Sequence, residues 1–320
     1  MSRGPVALGG ALERDRAGAG RGGPALLWRF SRPHTIVGTT LSILALYAIA
    51  VTQFAGGDLG ADPVDLGLTL LAGWCVNVFI VGINQLEDVE IDRINKPFLP
   101  IAAGDLTPAA GRRIVAISAI VPLALAITQG VAETVAVAIG LAVGTAYSVP
   151  PLRLKRFPAL ASLSITFVRS LVVNLGVWLH FSHTFGGGSA IHPGVWALIA
   201  VTVPFSFAIA ILKDVPDVEG DRRYAIATFS VRLGARPVLA AAVAALSLAE
   251  IGMATIGAAL LDGANTPVIV GAHLAAAAVL WASAKRVDLA DRAAVTRFYM
   301  RVWKLFFLEY AIVAAAYLLG

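Results

Sequence analysis

Long apolar runs separated by short polar stretches constrain the fold of this 320-residue chain more than any other feature. Hydrophobic residues make up 58% of the sequence and charged residues only 14%, whereas about 25% of the residues in a soluble domain are charged. Several runs reach the roughly 20 residues that a helix needs to cross the hydrocarbon layer of a bilayer. The sequence therefore predicts an all-α membrane protein whose partner is the lipid bilayer.

Nine apolar segments can be distinguished, and each predicts one transmembrane helix. The stretches between them alternate along the whole chain, since one carries Lys and Arg residues and the next carries none. Because basic loops remain in the cytoplasm, this pattern predicts a bundle of nine transmembrane helices with a cytoplasmic N-terminus and an outside C-terminus. The predicted segments are 34–54, 65–86, 111–128, 131–147, 159–181, 194–213, 236–260, 267–284 and 302–319.

Charge, cysteine content and the N-terminal composition exclude several other classes. The net charge of +5 comes largely from loops between apolar runs, so it indicates membrane topology and no nucleic-acid partner. The single cysteine, Cys75, excludes an intramolecular disulfide and a multi-cysteine metal site. Residues 1–27 begin with a Gly-, Ala- and Arg-rich stretch without an apolar signal. They predict a flexible cytoplasmic tail before one membrane domain at 28–320.

Two clusters of oxygen-bearing side chains stand at the predicted cytoplasmic ends of the second and sixth segments. In each cluster three side chains recur at helical spacing and share one helix face. Like charges on one face repel, and close to a membrane they require a compensating cation. Mg2+ binds through a few carboxylates together with phosphate oxygens of a substrate, so the clusters predict a Mg2+-bound diphosphate. Their members are Asn84, Asp88, Asp92, Asp214, Asp217 and Asp221.

Basic residues near these clusters are candidates to contact the diphosphate. The candidate diphosphate-binding residues are Arg32, Arg93, Lys96, Lys155, Arg156 and Lys213.

Two further residues stand out in the apolar segments and at their ends. Arg169 lies within an apolar segment, where a charged residue indicates a functional site. Pro216 is expected to break the helix inside the second cluster.

The two acidic motifs, NQLEDVEID at 84–92 and DVPDVEGD at 214–221, resemble those of the UbiA superfamily of intramembrane prenyltransferases. Five further motifs resemble its homogentisate phytyltransferase branch. They are SRPHTIVGT at 31–39, NKPFLPIAAGD at 95–105, YSVPPLRLKR at 147–156, VRSLVVNLG at 168–176 and FSVRLG at 229–234. The resemblance covers residues 28–320.

This resemblance implies a nine-helix bundle around a central cavity that opens to lipid, with Mg2+ and diphosphate bound under a cytoplasmic cap. The six members of the two clusters match the family's metal positions. Lys155 and Arg156 match its diphosphate contacts, and Tyr147 matches a tyrosine near the reacting carbon. Asp88, Asp92, Asp217 and Asp221 are accordingly expected to be catalytic together with Tyr147.

The implied reaction is Mg2+-dependent transfer of a prenyl group from an isoprenoid diphosphate to homogentisate or a related phenol, with possible loss of CO2. Arg169, Asn174 and His34 are candidates to hold the phenol or carboxylate of that aromatic acceptor. The enzyme would work at the cytoplasmic side of the cell membrane. An intramembrane terpene cyclase without an aromatic acceptor remains the alternative, while a transporter is disfavoured because the acidic residues lie near one membrane face rather than at its midplane.

Overall fold

The computed structural model describes residues 23–224 and 226–320, and its regular secondary structure over these residues is entirely helical. In chain order the helices are α1 (Gly23–Phe30), α2 (Pro33–Phe54), α3 (Pro63–Glu87), α4 (Val89–Asn95), α5 (Pro108–Gln129), α6 (Val131–Ser148), α7 (Pro158–Thr184), α8 (Pro193–Leu212), α9 (Val218–Arg223), α10 (Phe229–Leu233), α11 (Ala235–Leu260), α12 (Thr266–Ala284) and α13 (Arg292–Leu318). The helices α7 and α11 each contain a π-helical stretch.

Eight of these helices are long and apolar enough to cross a membrane, counted over the described residues. They coincide with the first eight predicted segments to within a few residues, so a multi-span, all-helical membrane architecture is confirmed. The last segment, 302–319, belongs to α13, which already begins at Arg292. The first turns of α13 contain the buried residues Val295 and Phe298 together with the exposed Arg297. Because these turns mix apolar and charged residues, they form part of the helix without forming part of an apolar run.

The predicted N-terminal tail is only partly described. Residues 1–22 lie outside the described part of the chain, and residues 23–27 belong to α1. Phe30, at the end of α1, is fully buried in a small apolar cluster with Phe79 and Val115. This packing attaches α1 to α3 and α5.

Small residues bring the central helices close together, as they do in many membrane bundles. Gly140 and Gly144 lie four residues apart on α6, and a Cβ at either position would come within 3.2 Å of a side chain of α3. A Cβ at Gly176 of α7 would lie 2.4 Å from the Cβ of Ala136. The close approach of α3, α6 and α7 forms one wall of an internal cavity.

Candidate active site

The cavity has a volume of about 300 Å³ and lies among α2, α3, α6, α7, α8 and α13. Thr69 and Glu133 line one end of it, and Asn84, Tyr147 and Lys213 line the other. Because a helix rises 1.5 Å per residue, Thr69 and Asn84 are about 22 Å apart along α3. The cavity is thus a long chamber, and the two acidic motifs begin at its Asn84 end.

The first acidic motif continues through a break between two helices. The helix α3 ends at Glu87 and α4 begins at Val89, with Asp88 between them. The backbone N–H of Asp88 still donates to the carbonyl of Asn84 at 3.1 Å, and that of Asp92 donates to Asp88 at 2.7 Å. Since this i to i+4 pattern is maintained, the three side chains keep the common face that their spacing predicts.

The second acidic motif lies beyond the end of its transmembrane helix. The helix α8 ends at Leu212 and α9 begins at Val218, so Asp214 and Pro216 lie in the connection. Pro216 therefore lies in the break that its fixed φ and missing N–H predict. Asp217 and Asp221 are buried, at 5% and 6% exposure.

Asn95 joins the two motifs directly. Its amide nitrogen donates to Asp221 at 3.3 Å, and its amide oxygen accepts the backbone N–H of Gly220 at 3.1 Å. A Cβ on Gly220 would lie 2.4 Å from that oxygen, so only glycine permits this contact. Arg292 also reaches the junction, since it donates to the carbonyl of Asn95 at 2.7 Å and lies 3.9 Å from Asp217.

Basic side chains neutralise three of the five aspartates. Asp88 is bound by Lys155 at 2.6 Å and by Arg153 at 3.1 Å. Lys96 forms an ion pair with Asp217. Lys213 lies 3.6 Å from Asp214 and also donates to the Tyr147 hydroxyl at 2.8 Å. These contacts bring together Lys96, Lys155, Lys213 and Tyr147, all of which the sequence predicts for the site.

Asp92 and Asp221 have no such partner, since neither forms an ion pair within the described residues. One carboxylate oxygen of Asp92 is buried and accepts no hydrogen bond from any described residue. Burial, together with repulsion from neighbouring aspartates, raises the pKa of Asp92 to about 6 and the pKa of Asp221 to about 7. Two of the five aspartates therefore have no basic partner of their own in the described chain, and the donor set consists of hard oxygen atoms, which fits Mg2+.

The remaining predicted diphosphate contacts are placed differently. Arg32 lines the cavity and its buried Nε atom has no partner in the described chain, while its φ of 53° lies in the sparsely populated left-handed region. Arg93 instead pairs with Glu90 at 2.6 Å on the exposed surface. Arg156 is also exposed and stacks on the Phe157 ring at 4.8 Å. The structure therefore does not bring Arg93 and Arg156 to the acidic clusters.

Arg169 lies in the wall of the cavity, within the π-helical stretch Phe167–Val172 of α7. Its guanidinium carbon lies 4.6 Å from the centre of the Trp303 ring and 5.6 Å from that of Phe306. One of its terminal nitrogens is buried without a partner in the described chain. His34 lines the same region, with its ring centre 5.0 Å from that of Trp303. Arg169 and His34 thus both line the cavity and both lie beside Trp303.

Asn174 does not reach the cavity. It is fully buried between α7 and α8, where its amide donates to the carbonyl of Ser170 at 2.7 Å and to the Thr202 hydroxyl at 3.2 Å. It lies five residues after Arg169, which places it on a different face of α7.

The sequence reasoning missed several residues that shape the site. Four aromatic residues of α13 line the cavity and recur at intervals of four, three and four, which is the period of one helix face. That period is visible in the sequence. The contacts of Asn95, Arg153 and Arg292 instead depend on tertiary packing. The four aromatic residues are Tyr299, Trp303, Phe306 and Tyr310.

Known proteins are similar to this chain in sequence and in fold. The chain is 43% identical to the homogentisate phytyltransferase of Synechocystis sp. over 88% of its own length and 92% of that protein. It is 38% identical to homogentisate phytyltransferase 1 of Arabidopsis thaliana over 88% of its length and 73% of that protein.

The fold is similar to that of a solved UbiA homolog from Archaeoglobus fulgidus bound to GPP and Mg2+. The TM-score is 0.62 at 19% identity, covering 91% of this chain and 99% of the other. Residues 36–305 match the profile of the UbiA prenyltransferase family. The chain belongs to the UbiA prenyltransferase family.

Proposed function

We propose that this aromatic prenyltransferase transfers a prenyl group from an isoprenoid diphosphate to homogentisate or a closely related phenol. The observation that carries the proposal is the junction of two acidic clusters at one end of a long, mainly apolar chamber. The names of the two homogentisate phytyltransferases support the acceptor.

The two acidic clusters would hold Mg2+ through Asn84, Asp88, Asp92, Asp214, Asp217 and Asp221. When bound, the metal ions would neutralise negative charge on the diphosphate leaving group. The buried carboxylates of Asp92 and Asp221, which have no basic partner among the described residues, support this assignment. The Archaeoglobus fulgidus neighbour, which is described as bound to GPP and Mg2+, is consistent with it.

Basic side chains around the clusters would bind the diphosphate oxygens directly. Lys96, Lys155 and Lys213 already contact the aspartates, so they lie within reach of any anion bound beside them. Arg32 adds an unpartnered nitrogen at the cavity wall. Fixed positive charge of this kind stabilises a leaving group without reorganisation during the reaction.

The rest of the chamber would hold the prenyl chain and protect the allylic cation from water. Its walls are mainly aliphatic and aromatic, and the Tyr147, Tyr299 and Trp303 rings lie among them. Ring faces attract cations, and an apolar wall excludes water that would quench one. The Tyr147 hydroxyl accepts a hydrogen bond from Lys213, so its ring lies beside the residues that we propose to bind the diphosphate.

Arg169 would bind the carboxylate or phenolate of the acceptor, with His34 beside it. A guanidinium buried against Trp303 and Phe306 lacks a carboxylate partner in the described chain. An anionic ring substituent would provide one. This pocket for an acceptor, together with the names of the relatives, makes a terpene cyclase the less favoured alternative.

The proposed topology places the active site at the cytoplasmic face of the cell membrane. The acidic clusters lie beside Lys96, Arg153, Lys155 and Arg292, which belong to the basic stretches that remain inside by the positive-inside rule. If α13 also crosses the bilayer, the nine crossings put the C-terminus outside.

Product analysis tests the proposed reaction. Membranes containing the protein are incubated with Mg2+ and a panel of prenyl diphosphates, with and without homogentisate, and the products are identified by mass. We expect a prenylated aromatic product only when Mg2+ and the acceptor are both present. A cyclic hydrocarbon formed without acceptor would contradict the transferase proposal and favour the cyclase.

Replacing Arg169 by Gln tests the acceptor site. Loss of a charged hydrogen bond costs about 1.5–3 kcal/mol, so we expect the KM for homogentisate to rise about 10- to 100-fold. The KM for the prenyl diphosphate should change little. Arg93→Gln is the matched control because Arg93 pairs with Glu90 on the surface, and its kinetics should stay near wild type. An unchanged KM for homogentisate in Arg169→Gln would remove Arg169 from the acceptor site.

Cysteine labelling tests the topology, starting from a Cys75→Ala background. We expect a membrane-impermeant maleimide to label Asp58→Cys and Gly320→Cys from outside intact cells. Ala290→Cys, in a basic loop, should be labelled only after the membrane is permeabilised. If Gly320→Cys and Ala290→Cys are labelled from the same side, α13 does not cross the membrane and the count of nine is wrong.

A further inference from the structure

Three ionisable side chains meet between α11, α12 and α13, away from the cavity. Glu250, His273 and Glu309 are all fully buried, at 0% exposure. One ligand atom from each lies within 4.8 Å of the other two. Glu309 is 17 residues along α13 from Arg292, which contacts the acidic clusters, so this group lies about 25 Å from them.

The orientation of His273 leaves one ring nitrogen available. Its Nδ1 atom lies 2.7 Å from the backbone carbonyl of Ile269. A carbonyl oxygen only accepts, so Nδ1 carries the proton and Nε2 is the free nitrogen in the neutral ring. Nε2 lies 3.0 Å from Glu309. A backbone carbonyl that orients a histidine in this way is typical of metal ligands.

Glu309 has only the His273 ring as a hydrogen-bonding partner in the described chain, and Glu250 accepts no hydrogen bond there. Both carboxylate oxygens of Glu250 and one oxygen of Glu309 are buried without a hydrogen bond in the described chain. Neither glutamate forms an ion pair with Lys or Arg there. An unpaired carboxylate at this depth in a bilayer is costly. Protonation of Glu250 would remove its charge and allow one hydrogen bond to Glu309, but it would still leave the other Glu250 oxygen without a donor in the described chain.

We propose that Glu250, His273 and Glu309 bind one divalent transition-metal ion, with Zn2+ as the best-suited metal. Two carboxylates and a neutral imidazole balance its charge to zero, which suits a membrane interior. The imidazole nitrogen favours zinc over Mg2+ or Ca2+. Two ligand atoms on a tetrahedral zinc ion lie about 3.3 Å apart, close to the separation of His273 Nε2 and Glu309.

Such an ion would fasten three helices at the end of the bundle opposite to the acidic clusters. Glu309 precedes Tyr310 and follows Phe306 by three residues, and both aromatic rings line the cavity. The ion would therefore fix the part of α13 that forms the aromatic wall. Its effect on helix packing would not depend on the identity of the prenyl acceptor.

Metal analysis of the purified protein tests the site. The protein is prepared without a histidine tag, and its metal content is measured by mass spectrometry. We expect about one zinc ion per chain in the wild type, and at least a tenfold loss in Glu250→Gln and His273→Gln. Two controls should retain the metal: Glu133→Gln, a buried acid 3.4 Å from His180, and Asp92→Asn in the acidic clusters. Equal zinc in all five proteins would overturn the assignment.

A second measurement uses only the wild type, so it does not depend on whether the variants fold. Chelator-stripped protein is titrated with Co2+ and with Zn2+. We expect visible absorption from bound Co2+ and a rise in Tm of at least about 5 °C with Zn2+, but no such rise with Mg2+ alone. The proposal is overturned if the purified protein contains no transition metal and none of these ions changes its Tm. The cluster would then be neutralised by protons.

Discussion

Charge balance among buried carboxylates is the constraint on which this structure depends most. Five aspartates lie close together at the edge of an apolar bundle, where an uncompensated negative charge is expensive. Lys155 and Arg153 neutralise Asp88, and Lys96 neutralises Asp217. Asp92 and Asp221 form no ion pair within residues 23–224 and 226–320. The protein thus pairs three of the aspartates with its own basic side chains, and the proposed Mg2+ would compensate the other two.

Basic side chains also connect the acidic clusters to the cavity. Lys213 contacts both Asp214 and Tyr147, so it joins the acidic clusters to the cavity wall. Further along the wall, Arg169 lies against Trp303 and Phe306 with an unpartnered nitrogen. The cavity therefore has positive charge at two places, at the end near Lys213 and at the wall around Arg169. These places suit the two anionic groups of the proposed reaction, which are the diphosphate and the acceptor substituent.

Local patterns made much of the fold and the core of the site predictable. Apolar runs gave the eight membrane-spanning helices because helix length and bilayer thickness are directly related. Helical spacing placed Asn84, Asp88 and Asp92 on one face because the backbone pattern persists through the break at Asp88. The family resemblance is confirmed by the profile match and by the relatives.

Residues whose placement depends on distant contacts were not predictable in the same way. Asn95 contacts Asp221, which is 126 residues away, and Arg292 contacts Asn95 across 197 residues. Arg93 directly follows Asp92, and successive helical residues point about 100° apart, so its side chain faces solvent. Glu250, His273 and Glu309 come from three separate helices, and each looks like an isolated polar residue in its own segment.

Binding of a non-reactive diphosphate tests the central claim most directly. The affinity of a prenyl thiodiphosphate for the purified protein is measured calorimetrically with Mg2+ and with a chelator. It is then measured again for a variant that combines Asp92→Asn with Asp221→Asn. The account predicts tight binding only for the wild type with Mg2+, and a loss of at least about tenfold, or 1.4 kcal/mol, in either other condition. Equal affinity in the chelator or in the double variant would show that the unpaired carboxylates do not recruit a metal for the diphosphate.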